Sequence, residues 1–394
     1  MSKIASKSFI IDDNWFKRFD AVRGLSPEKY ILTKPEDILV AEQLACYPKA
    51  IDKFPNWHID GMVYSKLALE QSSGEIAALF KSHIIKGNSL WDLTGGLGMD
   101  SLAFSKSFKE VNYCEPDERP YLLAKHNHKL HEATNIHHHN WTAEITLEHI
   151  DQTDCIYLDP SRRDQNSKKF LLADCQPNVF ELISKITNKC TSFMIKLSPL
   201  YDIKQLIKEL PMINQVVVLS VGGEVKEILA ISSPDLPKKL RAVLLPQNVQ
   251  FEKDFEPIEN KSTPLNSSTP QEGAFLHVAD PAIFKSEMLS GIANNENLKA
   301  WGQGGYLWSE KNELQGFNTY KIQSVLEYKP KMLKKLIAGK KVNIHKRNFP
   351  IDISTVYKTL NTNMGDDYHL FLTTEPGNIK RVCITHPANH ITQP

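Results

Sequence analysis

The stretch SLWDLTGGLGMDSLAF at residues 89–104 decides the fold of this chain. A short apolar run ends near Asp92, and a turn that contains Gly95, Gly96 and Gly98 leads into a helical pattern. Glycine has no Cβ, so backbone amides in such a turn can approach a ligand closely. At the carboxyl end of a parallel strand, a glycine-rich turn is a common binding position. The stretch therefore predicts a strand, a ligand-binding turn and a helix.

The surrounding sequence predicts a parallel α/β sheet. From residue 88 to 232, short apolar runs alternate with helical patterns, which is typical of strands joined by right-handed crossovers. The alternation ends at NQVVVLSVGGEVKEILAI (214–231), where Gly222 and Gly223 leave no room for a crossover helix. Parallel neighbours need a connection of about a dozen residues, so these last two strands must be antiparallel. We therefore expect the sheet to close with a hairpin.

Composition and charge limit the class of protein. The chain has 394 residues, 41% of them hydrophobic, and a net charge of +1, so two or three domains are expected and any basic surface must be local. Six cysteines lie far apart without a CxxC pair, which argues against a disulfide framework and a zinc ribbon. No run resembles a secretion signal or a membrane span. The sequence predicts a soluble, cytoplasmic, multidomain protein without a membrane partner.

The pattern along the chain predicts five segments. SPEKYILTKPEDILVAEQL offers Ser26 as a helix N-cap with Pro27 in the first turn, which makes the N-terminal part helical. FEKDFEPIENKSTPLNSSTPQEG (251–273) is rich in Pro, Ser, Asn and charge, which is typical of a linker. We expect a helical region at 1–86, the α/β domain at 87–250, a linker at 251–272, a small ferredoxin-like α+β domain at 273–325 and a last small α+β domain at 326–394.

An acid at the end of the second strand strengthens the ligand-binding interpretation. Glu115 ends the run EVNYCE and can accept hydrogen bonds from vicinal ribose hydroxyls, or it can cap the next helix. A nicotinamide cofactor and S-adenosylmethionine both fit this order. Ser101 stands where the dinucleotide motif has its third glycine, and the hairpin is foreign to an all-parallel dinucleotide sheet. Asp92 would oppose a pyrophosphate but suits a cationic amino group, so the residues favour S-adenosylmethionine.

The order of elements and two motifs resemble the class I S-adenosylmethionine-dependent methyltransferases, whose seventh strand is antiparallel. The motifs are DLTGGLGMDS (92–101), in which Thr94 replaces a usual glycine, and LDPSRRD (158–164), which takes the position of a D-P-P-Y-like motif. The resemblance implies a Rossmann-like seven-stranded sheet with a terminal antiparallel hairpin and S-adenosylmethionine as the cofactor.

Three further motifs resemble a narrower group, bacterial methyltransferase-like proteins that end in a THUMP-like domain, many of them from Bacteroidetes-type bacteria. These are LEQSSGEIAALFK (69–81), IKLSP (195–199) and GGEVKE (222–227). In such proteins a THUMP domain brings RNA, usually tRNA, to the catalytic domain. The resemblance therefore implies a THUMP-like domain at 326–394 and an RNA partner.

The run LDPSRRD carries the expected acceptor chemistry. Methyl transfer from a sulfonium is a direct displacement that needs a positioned nucleophile and no metal. The Asp159 carboxylate and the Pro160 carbonyl, aimed by the fixed proline φ, can orient an exocyclic amine. Ser161 replaces the second proline of the motif, and Arg162 replaces its stacking aromatic. Arg162 and Arg163 can instead hold a phosphate or a carboxylate, or form a surface ion pair.

A basic run near the C-terminus predicts contact with phosphates. Residues 329–347, KPKMLKKLIAGKKVNIHKR, contain eight Lys or Arg and no acid, although a solvated helix face is the common alternative. The histidines between His126 and His139 do not form a tetrahedral set, so no metal is expected. The predicted site residues are Asp159, Pro160 and Ser161 for catalysis; Asp92, Thr94, Gly95, Gly96, Gly98, Asp100, Glu115 and Asn140 for the cofactor; and Arg162, Arg163, Lys196, Lys334, Lys335, Lys341 and Arg347 for the substrate.

These patterns together predict an S-adenosylmethionine-dependent methyltransferase that modifies a nucleobase of tRNA or rRNA. Two alternatives stay open. One is a small-molecule methyltransferase whose arginines grip a carboxylate. The other is an RNA-binding protein with a vestigial cofactor pocket, which the departures at Thr94 and Ser161 support.

Overall fold

The computed structural model describes residues 4–5, 10–162, 172–255 and 266–386. By its internal contacts the chain divides into two compact units. The first comprises Met1–Val221 and Lys226–Lys239, and the second comprises Gly222–Val225 and Leu240–Pro394. Within the described ranges, no helix is long and apolar enough to cross a membrane.

The first unit opens with helices, as the sequence predicts. Ser26 caps the helix that starts at Pro27, and its hydroxyl accepts a hydrogen bond from the Lys29 amide. The side chain of Asp12 caps the preceding helix in the same way, since such oxygens satisfy amides that lack an intrahelical partner. The elements are β1 (Ile4–Ala5), β2 (Ile10–Ile11), α1 (Asp13–Val22), α2 (Pro27–Thr33), α3 (Ile38–Lys53), α4 (Lys66–Gln71) and α5 (Glu75–Ile84).

The main sheet of the first unit follows, with helices between its strands. The elements are β3 (Ser89–Asp92), α6 (Met99–Phe104), β4 (Glu110–Cys114), α7 (Glu118–Leu130), β5 (Ile136–His139), α8 (Ala143–His149), β6 (Thr153–Leu158), the short strands β7 (Ser161–Arg162) and β8 (Cys175–Gln176), α9 (Val179–Lys189), β9 (Cys190–Leu197), α10 (Ile203–Glu209), β10 (Gln215–Val221) and β11 (Glu224–Ser232). A 3₁₀ turn at Leu172–Asp174 precedes β8.

Strand order confirms the predicted α/β fold. Seven strands of the first unit neighbour one another in the order β10, β11, β9, β6, β3, β4, β5, within a sheet of nine strands. The pairs from β9 to β5 are parallel, and β11 is antiparallel to β9. The connection expected at Gly222 and Gly223 therefore leads into the antiparallel strand β11, although the hairpin is not the edge of the sheet. This is the Rossmann-like arrangement of class I methyltransferases with its antiparallel seventh strand.

The N-terminal helices share a core with the sheet's first helix. One buried cluster joins Phe54 and Tyr64 to Leu97 and Leu102, which lie in the glycine turn and in α6. The boundary expected between residues 86 and 87 therefore does not separate two cores. Instead, the helical region packs against the turn that the sequence predicts to bind a ligand.

The elements that follow β11 are β12 (Lys239–Leu245), β13 (Val249–Asp254), β14 (Phe275–Ala279), α11 (Pro281–Lys285), α12 (Leu289–Asn295), β15 (Lys299–Trp301), β16 (Tyr306–Ser309), β17 (Phe317–Glu327), α13 (Pro330–Leu336), β18 (Val342–Lys346), α14 (Ile353–Leu360), β19 (Tyr368–Glu375) and β20 (Ile379–Thr385). Seven strands of the second unit form one sheet in the order β15, β16, β14, β17, β20, β19, β18. All pairs in this sheet are antiparallel except β18 with β19.

Two expected boundaries in this half differ from the structure. The linker expected to start at residue 251 begins inside β13, while residues 256–265 lie outside the described ranges. The boundary expected at 325/326 falls inside β17, which pairs with β14 on one side and β20 on the other. The two small domains expected at 273–325 and 326–394 therefore share one sheet. A single strand of eleven residues belongs to both.

Candidate active site

A cavity of about 730 Å³ lies in the first unit, at the carboxyl ends of β3, β4, β6 and β9. Its volume is in the range of small-molecule binding sites. The wall takes in the glycine turn, the ends of the four strands and part of the N-terminal helical region. The lining includes Leu67, Ala68, Gln71, Ser72, Ser73, Asp92, Thr94, Gly95, Gly96, Gly98, Asp100, Glu115, Thr142, Ala143, Glu144, Asp159, Pro160, Ser161, Pro177, Lys196, Ser198 and Pro199.

Glycine is required in the turn for two different reasons. A Cβ at Gly95 would lie 2.1 Å from Cε2 of the Tyr113 ring, so the space itself excludes a side chain. The Tyr113 hydroxyl donates to the Gly96 carbonyl at 2.7 Å, which holds the ring in place. Gly98 has a φ of +81°, a conformation that L side chains rarely adopt, and a Cβ there would also meet His128. The turn therefore presents bare backbone to the cavity.

Asp92 is a buried carboxyl at the end of β3, only 1% exposed. One oxygen accepts the Thr94 amide at 3.1 Å, and the other accepts the Ser101 hydroxyl at 2.6 Å. Burial raises the pKa of the Asp92 carboxyl to about 7, against these hydrogen bonds, which lower it. Asp92 thus braces the turn and carries a charge that is costly to bury.

Glu115 reaches back from the end of β4 to the turn. Its carboxylate accepts the Gly96 amide at 2.9 Å and the Asp117 amide at 2.8 Å. Burial raises the pKa of Glu115 above its usual range, although both backbone hydrogen bonds lower it. Asn140, which the sequence predicts to bind the cofactor, is not among the residues that line the cavity. Its amide donates to the carbonyls of Glu115 and Pro116, at 2.7 and 3.1 Å, so it braces the loop instead.

A second group of polar side chains on the cavity wall surrounds Asp159, which follows β6. Its carboxylate forms an ion pair with the ammonium of Lys196, on β9, and its side chain keeps 29% of its surface exposed. Its backbone amide donates to the Thr94 hydroxyl at 2.6 Å. Although burial lowers the pKa of Lys196, the carboxylates of Asp159, Glu227 and Asp100 raise it above its usual range. Ser161, beyond Asp159, is exposed and donates weakly to the Gln176 carbonyl at 3.3 Å.

A buried ion cluster lies behind this wall. Lys81, with 0% exposure, donates to both oxygens of Glu227 at 2.9 Å and to the Ser73 hydroxyl at 2.7 Å, and it lies 3.1 Å from Asp100. Asp100 also accepts from the hydroxyls of Ser73 and Tyr157. Burial would raise the pKa of Asp100, but Lys81 and Lys196 lower it. Asp100 reaches the cavity wall and is thus held from behind by cations.

The sequence missed part of this arrangement. The wall formed by Leu67–Ser73 and the contributions of Thr142, Ala143 and Glu144 were not among the predicted site residues. Lys81 belongs to the motif LEQSSGEIAALFK, and a lysine on the apolar face of a helix is itself a signal for a buried partner. Arg163 lies outside the described residues, and for Arg162 only its place in β7 is described.

The predicted phosphate-binding residues lie in the second unit and differ in exposure. Lys334 and Lys335 on α13 are exposed, and so is Lys341 before β18. Arg347 is half-buried, lies 5.1 Å from the Tyr306 ring centre and donates to the Gly305 carbonyl. Burial lowers the pKa of Arg347. Its guanidinium is therefore used in packing, unlike the three lysines.

The histidines near the turn pack instead of gathering around an ion. His128 donates through Nε2 to the Gly98 carbonyl at 2.8 Å, and its Nδ1 lies 2.9 Å from Nε2 of His138. Burial lowers the pKa of His128 to about 3, so the ring is neutral. Within the part of the chain that the structure describes, no group of three or more His, Cys, Asp or Glu side chains is placed to hold a metal.

Comparison with protein families gives a match for the C-terminal part of the chain. A family model described as THUMP domain-like matches residues 318–387, from the second residue of β17 to beyond β20. No curated protein matches this chain.

Solved structures resemble the chain to different extents. A protein from Porphyromonas gingivalis W83, provisionally described as a methyltransferase, is 24% identical, covers 96% of this chain and 100% of its own, and has a TM-score of 0.82. A provisional methyltransferase from Streptococcus mutans in complex with SAH is 15% identical over 40% of this chain and 94% of its own, with a TM-score of 0.30. A provisional RNA methyltransferase from Pyrococcus horikoshii is 17% identical over 39% and 75%, with a TM-score of 0.29.

Only the first of these three likenesses is strong enough to bear on the fold, and at 24% identity it bears on the fold alone. Its TM-score over nearly the whole chain agrees with the α/β fold described above. The chain therefore combines the fold of a class I methyltransferase with a THUMP domain-like segment at its C-terminal end.

Proposed function

We propose that the first unit binds S-adenosylmethionine in the cavity and transfers its methyl group to a nucleobase of RNA. One observation carries the proposal: the glycine turn after β3 and the Asp159–Lys196 pair at the carboxyl ends of β6 and β9 line the same cavity. A methyl donor held by the turn would thus face an acceptor held by Asp159. The position of the cavity suits this fold, since open α/β sheets bind ligands beyond the carboxyl ends of their strands.

The donor side offers groups that suit this cofactor. The Gly95–Gly98 backbone can lie against the ligand without a Cβ in the way. Glu115 accepts two backbone amides, and its carboxylate oxygens have further lone pairs for ribose hydroxyls. Asp92, at the base of the turn, suits a cationic group because its own ionisation is disfavoured until a cation approaches. We assign the cofactor to the turn residues, Asp92, Asp100 and Glu115.

The acceptor side suits an amine. The Asp159 carboxylate, fixed by Lys196, and the Pro160 carbonyl would accept the N–H groups of an exocyclic amine and direct its lone pair at the methyl carbon. In the transfer, the new N–C bond forms as the C–S bond breaks. The sulfur leaves with the electron pair as a neutral thioether, and the nitrogen then loses a proton to solvent. Positioning supplies the rate gain in such a displacement.

The second unit supports RNA as the acceptor. Its THUMP domain-like segment carries Lys334, Lys335 and Lys341 on the surface, in a run without any acid. Clustered exposed lysines bind phosphates without regard to sequence. Choice of the nucleotide would then belong to the cavity, and affinity for the RNA to the second unit.

Calorimetry tests the donor. We expect S-adenosylmethionine and SAH to bind the full chain at micromolar concentrations, and NAD not to bind. Glu115→Gln should weaken binding about tenfold or more, since it loses a charged hydrogen bond. Glu118→Gln is the matched control, because Glu118 is exposed and does not line the cavity. No binding to a chain with an intact fold would contradict the proposal and favour an RNA-binding protein.

Methyl transfer tests the acceptor. The protein is incubated with S-adenosylmethionine labelled in its methyl group and with RNA from a strain that lacks the gene. We expect label in one modified base after digestion to nucleosides. Label only in the small-molecule fraction of a cell extract would instead support a small-molecule methyltransferase.

A further inference from the structure

We infer that Thr94 is a positioning residue that couples the cofactor turn (residues 94–98) to the acceptor loop (residues 159–161). The inference rests on the proposed function. It assigns a role to the residue that replaces a usual glycine in the first motif, a departure that by itself would suggest a decayed pocket.

The coupling is a continuous chain of hydrogen bonds. Asp92 accepts the Thr94 amide at 3.1 Å, so the backbone of Thr94 is fixed at the base of the cofactor turn. The Thr94 hydroxyl then accepts the Asp159 amide at 2.6 Å. The two residues are 65 positions apart and follow the neighbouring parallel strands β3 and β6.

The contact requires an oxygen at this position. A glycine would leave the Asp159 amide without this partner, and among the described residues the amide donates to no other acceptor. Threonine is also restricted at χ1, which reduces the number of positions that its hydroxyl can take. The side chain thus provides a fixed acceptor where the fold's usual glycine provides none.

Asp159 is then held at two points. Thr94 fixes its backbone, and Lys196 fixes its carboxylate. A displacement of the cofactor turn would move the backbone of Asp159 with it, so occupancy of the turn and the position of the acceptor loop are linked. Such a linkage is reciprocal: a ligand that orders the turn orders the loop, and the reverse.

The variants that test this differ in one group. Thr94→Val keeps the shape and removes the acceptor oxygen, and Thr94→Ser keeps the oxygen. Thr187→Val is the matched control, because its hydroxyl on the exposed face of α9 bonds only within its own helix. Amide hydrogen exchange is measured on the full-length protein for the segments 155–162 and 110–114, with and without SAH, and SAH affinity is measured by calorimetry.

In Thr94→Val we expect the amide hydrogen of Asp159 to exchange with solvent about tenfold faster than in the wild type, because one hydrogen bond is lost. It should bind SAH within about threefold of the wild type yet lose the protection that SAH gives to the segment 155–162. Thr94→Ser and Thr187→Val should behave like the wild type, and β4 (110–114) should be unchanged in all variants, which excludes general destabilisation.

Two results would overturn the inference alone: an Asp159 amide that exchanges equally slowly in Thr94→Val, or SAH protection of the segment 155–162 that survives this substitution. Failure of SAH to bind the wild type would overturn the proposed function as well. The calorimetric measurement on the wild type therefore separates the two failures.

Discussion

Lys81 lies 146 residues before Glu227 in the chain, and its ammonium contacts both oxygens of that carboxylate at 2.9 Å. The pair joins α5 of the N-terminal region to β11, the antiparallel strand of the sheet. Asp100 is the third charged member, so one buried cation faces two carboxylates. The N-terminal region is thereby tied to the sheet by charge as well as by apolar packing.

Removal of this cation should destabilise the first unit strongly. We expect Lys81→Met to lower the free energy of unfolding by about 3–5 kcal/mol, because Asp100 and Glu227 would be left buried without their partner. Urea denaturation measures the change. Lys86→Met, which removes an exposed lysine, should change stability by less than about 0.5 kcal/mol. Adding Glu227→Gln to Lys81→Met should restore part of the loss, and no recovery would argue that packing dominates.

A side chain at Gly95 should displace the glycine turn. In Gly95→Ala the new methyl group meets the Tyr113 ring, which is buried and cannot move away. We expect a loss of about 1–3 kcal/mol in stability from overpacking. The affinity for S-adenosylmethionine should fall at least about tenfold, because the turn must shift. Gly291→Ala has no atom within 4 Å of its new Cβ and serves as the control. Unchanged affinity in Gly95→Ala would show that the turn does not contact the cofactor.

Asp92 should impose a pH dependence on stability. Its pKa is raised to about 7 in the folded chain, above the ordinary carboxyl value of 3.8. The protonated carboxyl therefore favours the folded state, and its contribution to stability is fully present below about pH 4 and is lost as pH rises through about 7. The upper bound on the free energy lost is about 4 kcal/mol. Relative to Asp92→Asn, the wild type should lose stability over this window in denaturation at a series of pH values. Parallel profiles for the two proteins would contradict the raised pKa.

Charge reversal on the second unit should weaken RNA binding. In the triple variant Lys334→Glu, Lys335→Glu, Lys341→Glu, we expect the salt dependence of the dissociation constant to become shallower by about 2 in a log–log plot, since about 0.7 is lost for each contact to a single strand. Fluorescence anisotropy over a salt series measures the slope. A triple variant at exposed lysines of the first unit, Lys86→Glu, Lys109→Glu, Lys185→Glu, carries the same net charge. Equal slopes for the two variants would mean that binding follows net charge alone.

Much of the first unit could be predicted because its signals are local. Apolar runs of four to eight residues mark β3, β4, β6 and β9, and the short Gly222–Gly223 connection imposes the antiparallel hairpin. Motifs at the ends of parallel strands must meet at one edge of the sheet. The meeting of the glycine turn with Asp159 follows from that rule without any knowledge of side-chain positions.

What could not be predicted depends on partners distant in sequence or on single side-chain orientations. Lys81 finds Glu227 only after the sheet has formed. Asn140 directly follows β5, but its amide donates to the carbonyls of Glu115 and Pro116. Arg347 belongs to a basic run, yet its side chain turns inward over Tyr306. Charge counting along the chain does not distinguish it from its exposed neighbours.

The long strand β17 also limits how the protein can be divided. The THUMP domain-like match starts at residue 318, one residue into this strand, whose other edge pairs with β14. A fragment cut there would expose a row of unpaired amides and carbonyls, which is a template for aggregation. Transferring this domain to another protein would therefore require the chain from β14 onward. The segment that folds as one sheet is longer than the segment that matches the THUMP domain-like family model.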